Sequence, residues 1–169
     1  MNPKKIAKES EHSQQTALFC YANLAYWHGF DEADRIVGTD GKPKMLRKGV
    51  EPAVPALLWL HAIPNGGMRG DSTQSRKIRG GQLKAEGVKQ GVADIFLPYP
   101  SAGMHGLYIE MKKPSLRPKR KGGKGGLSDA QISFKNYVQS VDYGFLTCYS
   151  WDEAAKLIRQ YIEWSERHE

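Results

Sequence analysis

Cysteine is scarce in this chain, and its two residues, Cys20 and Cys148, stand far apart. They form no CxxC pair, which leaves neither a disulfide framework nor a zinc knuckle, and reduced thiols in a cytosol are the simplest account. No run approaches the roughly 20 apolar residues of a membrane span. The opening stretch, MNPKKIAKESEHSQQ, is polar and lacks the apolar segment of a secretory signal, so the protein is expected to be soluble and cytoplasmic. The histidines are scattered with no HExxH, and GxSxG and DxDxDG are absent, so zinc protease, serine hydrolase and EF-hand chemistry have nothing to stand on. A nucleotide-binding P-loop fails as well, because Lys124 is followed by Gly125 where Ser or Thr is required, and no nucleotide cofactor is expected. No internal repeat is visible.

What is present has the size of one domain, 169 residues with room for one hydrophobic core. The net charge of +7 favours a polyanionic partner over an acidic small molecule.

The pattern begins with helical spacing over Glu9 to His28, where Leu18, Tyr21, Ala25 and His28 recur on one face. Extended backwards, that stripe reaches Gln15, Gln14 and Glu11. Glu11 either answers the positive end of the helix dipole or looks into a metal site. Residues 30–56 are rich in Gly, Pro, Lys and Asp and read as an irregular insertion. Leu57 to Ile63 (LLWLHAI) is short, apolar and bounded by prolines, as a buried strand should be. The turn Pro64 to Gly67 follows, and with Arg69 behind it Asn65 could bring backbone close to a phosphate as well as simply reverse the chain. Ser72 to Glu86 reads as a helix weakened by Gly80 and Gly81.

The chemistry concentrates between Gly91 and Pro114. Strands expected at Val92 to Leu97 and His105 to Lys112 make a hairpin that brings Asp94, Glu110 and Lys112 together. Glu110 and Lys112 are two residues apart and share a face, with Met111 turned away. Two carboxylates and an ammonium crowded on one face are costly unless a divalent cation organises them, which points to a magnesium-dependent nuclease. The segment 113–126, KPSLRPKRKGGKGG, is either a solvated flexible linker or a flexible clamp for phosphates.

Beyond it, Ser128 to Gln131 forms an S-x-x-Q capping box opening a helix with Phe134, Val138 and Val141 on its buried stripe. Gln131 lies on the sheet-facing side, so it has a capping role and a possible second one at substrate or an active-site water. Tyr143 to Tyr149 reads as the last strand. Ser150 to Glu153 makes another capping box before an amphipathic helix carrying Ala154, Leu157, Ile158, Tyr161 and Ile162. The order α, β, α, β, β, α, β, α describes an α/β domain with a mixed central sheet flanked by helices.

Taken in order, these pieces resemble the VRR-NUC branch of the PD-(D/E)XK nuclease superfamily. The matching parts are the opening helix with Glu11 and its glutamines, the PNGG turn with Arg69, LKAEGVKQGVADIFLP, GLYIEMK and LSDAQ. They span most of the chain outside residues 30–56. Ala93 departs from the proline of the superfamily name, at a position that supplies no ligand. The resemblance implies a restriction-endonuclease-like core filling residues 1–169 and Mg²⁺ or Mn²⁺ held by Asp94, Glu110 and the backbone carbonyl of Met111, with Glu11 completing or orienting the shell. Lys112 would stand beside the attacking water. It also implies DNA phosphates held by Asn65, Arg69, Lys84, Lys119, Arg120, Lys121 and Lys124. Stand-alone members of the branch resemble dimeric junction-resolving enzymes of phages, so a homodimer acting on branched DNA is expected, in the bacterial host cytoplasm if phage-encoded.

Overall fold

The N-terminal third is built by caps and an apolar stripe. In the computed structural model, which describes residues 2–64, 73–120 and 122–166, a single turn α1 (Pro3–Ile6) starts at Asn2. Helix α2 (Glu11–His28) starts where the Ser10 hydroxyl accepts the Ser13 N–H at 3.1 Å. Leu18, Tyr21 and Ala25 of the predicted stripe are buried, together with Ala17, while His28 at its end is only partly buried. Gly29, at φ +84°, breaks the helix and starts the next, α3 (Phe30–Thr39).

Helix α3 corrects the reading of 30–56 as irregular throughout. Phe30, Ala33, Ile36 and Val37 form a buried stripe at helical spacing, with Asp31 and Glu32 placed at the positive end of the dipole. The remainder, from Asp40 to Val54, has no regular secondary structure. LLWLHAI is a second correction. Pro55–Trp59 is a 3-10 helix, followed by the two-residue strand β1 (His61–Ala62), because the flanking proline fixes a turn and only Leu57 and Leu60 find the core. Helix α4 (Thr73–Ala85) lies close to its expected bounds.

The other strands are β2 (Ile95–Leu97), β3 (Leu107–Met111) and β4 (Gly144–Cys148). They line up in the order β1-β2-β3-β4, with β2 antiparallel to both β1 and β3, and β3 parallel to β4. The parallel pair is joined through α5 (Asp129–Ser140), and α6 (Trp151–Glu166) follows β4. The expected mixed α/β architecture is therefore the observed one.

Alternation along β3 divides the molecule into layers. Leu107, Ile109 and Met111 enter the main core with Ile95 and Leu97, under α2, α3 and α6. Tyr108 faces the opposite side, where Val138 and Phe134 of α5 pack with Phe145 and Ala93. Glu110, next in that alternation, continues the α5 face, and it is at this end of the sheet that the charged residues gather.

Candidate active site

Register brings the carboxylates together. Ile95 pairs with Ile109, so one step further Asp94 stands opposite Glu110. The chain bends at Asp94 just ahead of β2. Its backbone carbonyl accepts the Ile63 N–H at 2.7 Å, and its Oδ2 accepts the Met111 N–H at 2.9 Å. A side-chain carboxylate thus takes the place of a further ladder carbonyl, which fixes the Asp94 carboxylate against the end of β3. Asp94 is half-buried.

Glu110 is only 1% exposed. Its Oε1 accepts from Lys112 Nζ at 2.8 Å and from Gln131 Nε2. Its Oε2 is buried without a hydrogen-bond partner. A carboxylate oxygen left dry in this way is expensive, and the Glu110 proton affinity records the expense. Burial, with the negative charges of Asp94 and Glu11 adding to it, pushes the carboxyl up to about 7 against the opposing pull of Lys112. Glu11, in the first turn of α2, adds the smallest of these charges. Lys112 is itself 8% exposed and extends β3 by one more bond, its N–H donating to the Cys148 carbonyl at 2.8 Å.

Gln131 has the expected capping role and, in place of a contact to substrate or water, a hydrogen bond to Glu110. Its Oε1 accepts the Ser128 N–H at 2.9 Å and its backbone N–H donates to Ser128 Oγ at 3.3 Å, closing the capping box. Its remaining amide group donates to Glu110, so the helix start and the carboxylate are locked to each other.

The sequence-predicted phosphate contacts are distributed differently. Asn65, Arg69 and Lys121 lie outside the described residues. Lys84, in the last turn of α4, and Lys119 and Arg120 are exposed. Lys124 is paired with Asp129 at 2.7 Å. Thr147, the β4 partner of Glu110, lies beside the site through parallel pairing that no short motif reveals. Half of the capping box expected at Ser150 and Glu153 forms, the Glu153 N–H donating to Ser150 Oγ at 3.4 Å, while the Glu153 carboxylate turns elsewhere. It accepts the Tyr149 N–H at 2.8 Å and a two-pronged contact from Arg117 at 2.7 and 3.1 Å.

A buried, unsatisfied oxygen on Glu110, a residue that feels the negative charge of Asp94 across the hairpin, suits a hard divalent cation, whose charge would relieve both the missing contact and the repulsion. Among the described residues no three or more His, Cys, Asp and Glu side chains are gathered as a metal site, so side-chain ligation would rest on Asp94 and Glu110. With divalent ions chelated, Glu110 is protonated in the folded protein up to about pH 7, while its ordinary value is 4.5. Stability due to that proton is fully present below the lower value and is lost as pH rises through the upper one, a difference of roughly 3 kcal/mol. In EDTA the melting temperature is therefore expected to fall between about pH 5 and pH 8, and Glu110→Gln to remove that part of the fall. Parallel melting profiles for the two proteins would show that Glu110 does not titrate in this window.

The chain matches no family model and no curated protein. Among solved structures it is similar to a VRR_NUC domain protein, with 18% sequence identity and a TM-score of 0.57 over 94% of this chain and 93% of the other. The chain has the fold of a VRR_NUC domain protein, the fold that the order of its sequence motifs anticipates.

Proposed function

We propose that this chain is a metal-dependent endodeoxyribonuclease that hydrolyses phosphodiester bonds, with branched DNA of the Holliday junction kind as its preferred substrate. The observation that carries this reading is the buried Glu110 oxygen with no partner, opposite Asp94 and beside Lys112. Asp94 and Glu110 would hold Mg²⁺ or Mn²⁺, with the Met111 carbonyl as a further ligand and Glu11 orienting the shell from α2. Once bound, the ion polarises the scissile phosphate and lowers the pKa of a coordinated water.

The chain's own groups do the rest. Gln131 and Lys112 both bind Oε1 of Glu110, which leaves Oε2 for the ion. Lys112 would donate to the attacking water and to the charge developing on phosphate. Lys84, Lys119, Arg120 and Lys124, with Asn65, Arg69 and Lys121, would grip the DNA backbone without reading bases. A homodimer would present two such sites to the symmetric strands of a junction, a task suited to phage replication, repair or recombination.

Cleavage of flaps, ends or plain duplex by the same chemistry is the second reading, and a silent DNA-binding module the third. The paired carboxylates disfavour the third, since negative charge at a phosphate-binding surface weakens binding unless a cation intervenes.

The test is a panel of labelled DNAs (four-way junction, flap, duplex and single strand) with Mg²⁺, Mn²⁺ or EDTA. Paired symmetric nicks in the junction, only with metal, are expected. Cleavage confined to another form would change the substrate. Binding in EDTA with no cleavage of any form would leave the silent module standing.

A further inference from the structure

We propose that Tyr149 pins the described residues of the basic loop, 116–120 and 122–126, into a closed, preformed arm beside the active site, so that Lys119 and Arg120 meet DNA phosphates flanking the cut as a fixed pair. The proposal rests on the reading of the chain as a DNA-binding nuclease.

The loop closes on itself. A Cβ at Gly126 would come within 2.9 Å of Leu116 Cδ1, and one at Gly123 within 3.1 Å of Pro118 Cβ, so the two limbs are in contact. Its foot rests on the residue that follows β4. Tyr149 is 7% exposed, and its hydroxyl donates to the Gly125 carbonyl at 3.1 Å. A Cβ at Gly125 would stand 2.1 Å from that hydroxyl oxygen, and Gly125 has φ +59°, so two independent constraints favour glycine there.

The other limb is fixed from the same residue. The Arg117 guanidinium lies 4.7 Å over the Tyr149 ring while forking onto Glu153, which also takes the Tyr149 N–H. The 3-10 turn Pro114–Leu116 leads directly out of Lys112 and Lys113. One buried tyrosine therefore ties both limbs of a short, self-packed loop to the end of the sheet that carries the carboxylates, an arrangement of the Ω-loop kind. A free tether would lose conformational entropy on gripping a phosphate; an arm already closed loses much less.

Tyr149→Phe removes the hydroxyl and keeps the ring under Arg117. Binding to a labelled junction is measured by fluorescence anisotropy in EDTA, across a salt series, so that no cleavage intervenes. Binding about three- to tenfold weaker is expected, with the slope of log Kd against log salt shallower by about one phosphate contact. Once Lys119 and Arg120 are both alanine, Tyr149→Phe should have no further effect. Gly125→Ala, which breaks the same contact from the loop side, should behave as Tyr149→Phe does. An unchanged salt slope in Tyr149→Phe overturns the proposal, as does a loss that adds in full to that of the double alanine variant. Tight wild-type binding alongside either result would overturn the arm alone, whereas a wild-type protein that binds no DNA would remove the proposed function and the arm with it.

Discussion

Replacing Asp94 with asparagine is expected to abolish metal-dependent DNA cleavage while leaving the fold and DNA binding in place. The amide oxygen of the introduced side chain can still accept the Met111 N–H that Asp94 Oδ2 accepts at 2.9 Å, so the hairpin keeps its closure. What disappears is one of two negative charges available for a cation, and with it the stabilisation of charge at the scissile phosphate. Losing a single charge-stabilising contact at such a site costs on the order of 10²–10³ in rate, and losing half of the side-chain ligands should cost at least that. Rates on the preferred DNA at saturating metal, with circular dichroism as the folding control, decide the matter. The same substitution also removes a repulsion that raises the Glu110 proton affinity. Glu110 in Asp94→Asn should then titrate lower, which separates a lost ligand from a misfolded site. Cleavage within about tenfold of wild type would sink the assignment.

Lys112→Met should silence cleavage equally and, unlike Asp94→Asn, should weaken the fold in a pH-dependent way. The ammonium lies 2.8 Å from Glu110 Oε1, and both side chains are nearly inaccessible. Removing one partner of a buried pair costs about 3–5 kcal/mol when the other must remain charged. Glu110 need not remain charged. Its carboxyl already titrates near 7, and Lys112 is among the groups holding it down. Without Lys112 it takes up a proton more readily, so in EDTA the loss of stability should be small near pH 5 and grow above pH 7 by about 1.4 kcal/mol per pH unit until Glu110 of the variant ionises as well. Divalent metal should restore much of the alkaline loss, because the ion replaces the missing positive charge. Cleavage would not return, since no group remains to donate beside the attacking water. Denaturant melts at about pH 5 and about pH 8, with and without Mn²⁺, measure this. A pH-independent loss would mean that Lys112 serves packing alone.

The hairpin is legible in the sequence because its signals are local and mutually consistent. Alternation fixes Glu110 and Lys112 on one side of β3, and glycine-marked turns delimit the two strands. Gln131 is legible for the same reason, through a capping pattern four residues long. Helix α3 is obscured because composition over a long window outweighs a ten-residue stripe that begins at Phe30. LLWLHAI misleads because apolar character without periodicity does not separate a strand from a turn that buries two of its leucines. The closure of the basic loop is illegible. Its glycines read as flexibility, whereas Gly125 and Gly126 make room for Tyr149 and Leu116, the first of them 24 residues away along the chain. The place of Thr147 opposite Glu110 depends on parallel pairing across an intervening helix, which no local pattern encodes.

Gln131 binds Ser128 at the start of α5 and Glu110 in the sheet through one side chain. Fraying of the first turn of α5 and loosening of the Glu110 carboxylate are consequently coupled. Amide hydrogen exchange at Ser128 and Gln131 should slow when a cation occupies the site, although neither amide touches it, so the helix end doubles as a label-free gauge of occupancy. A substitution that merely improves the cap would, by the same coupling, hold the carboxylate more rigidly for its ion.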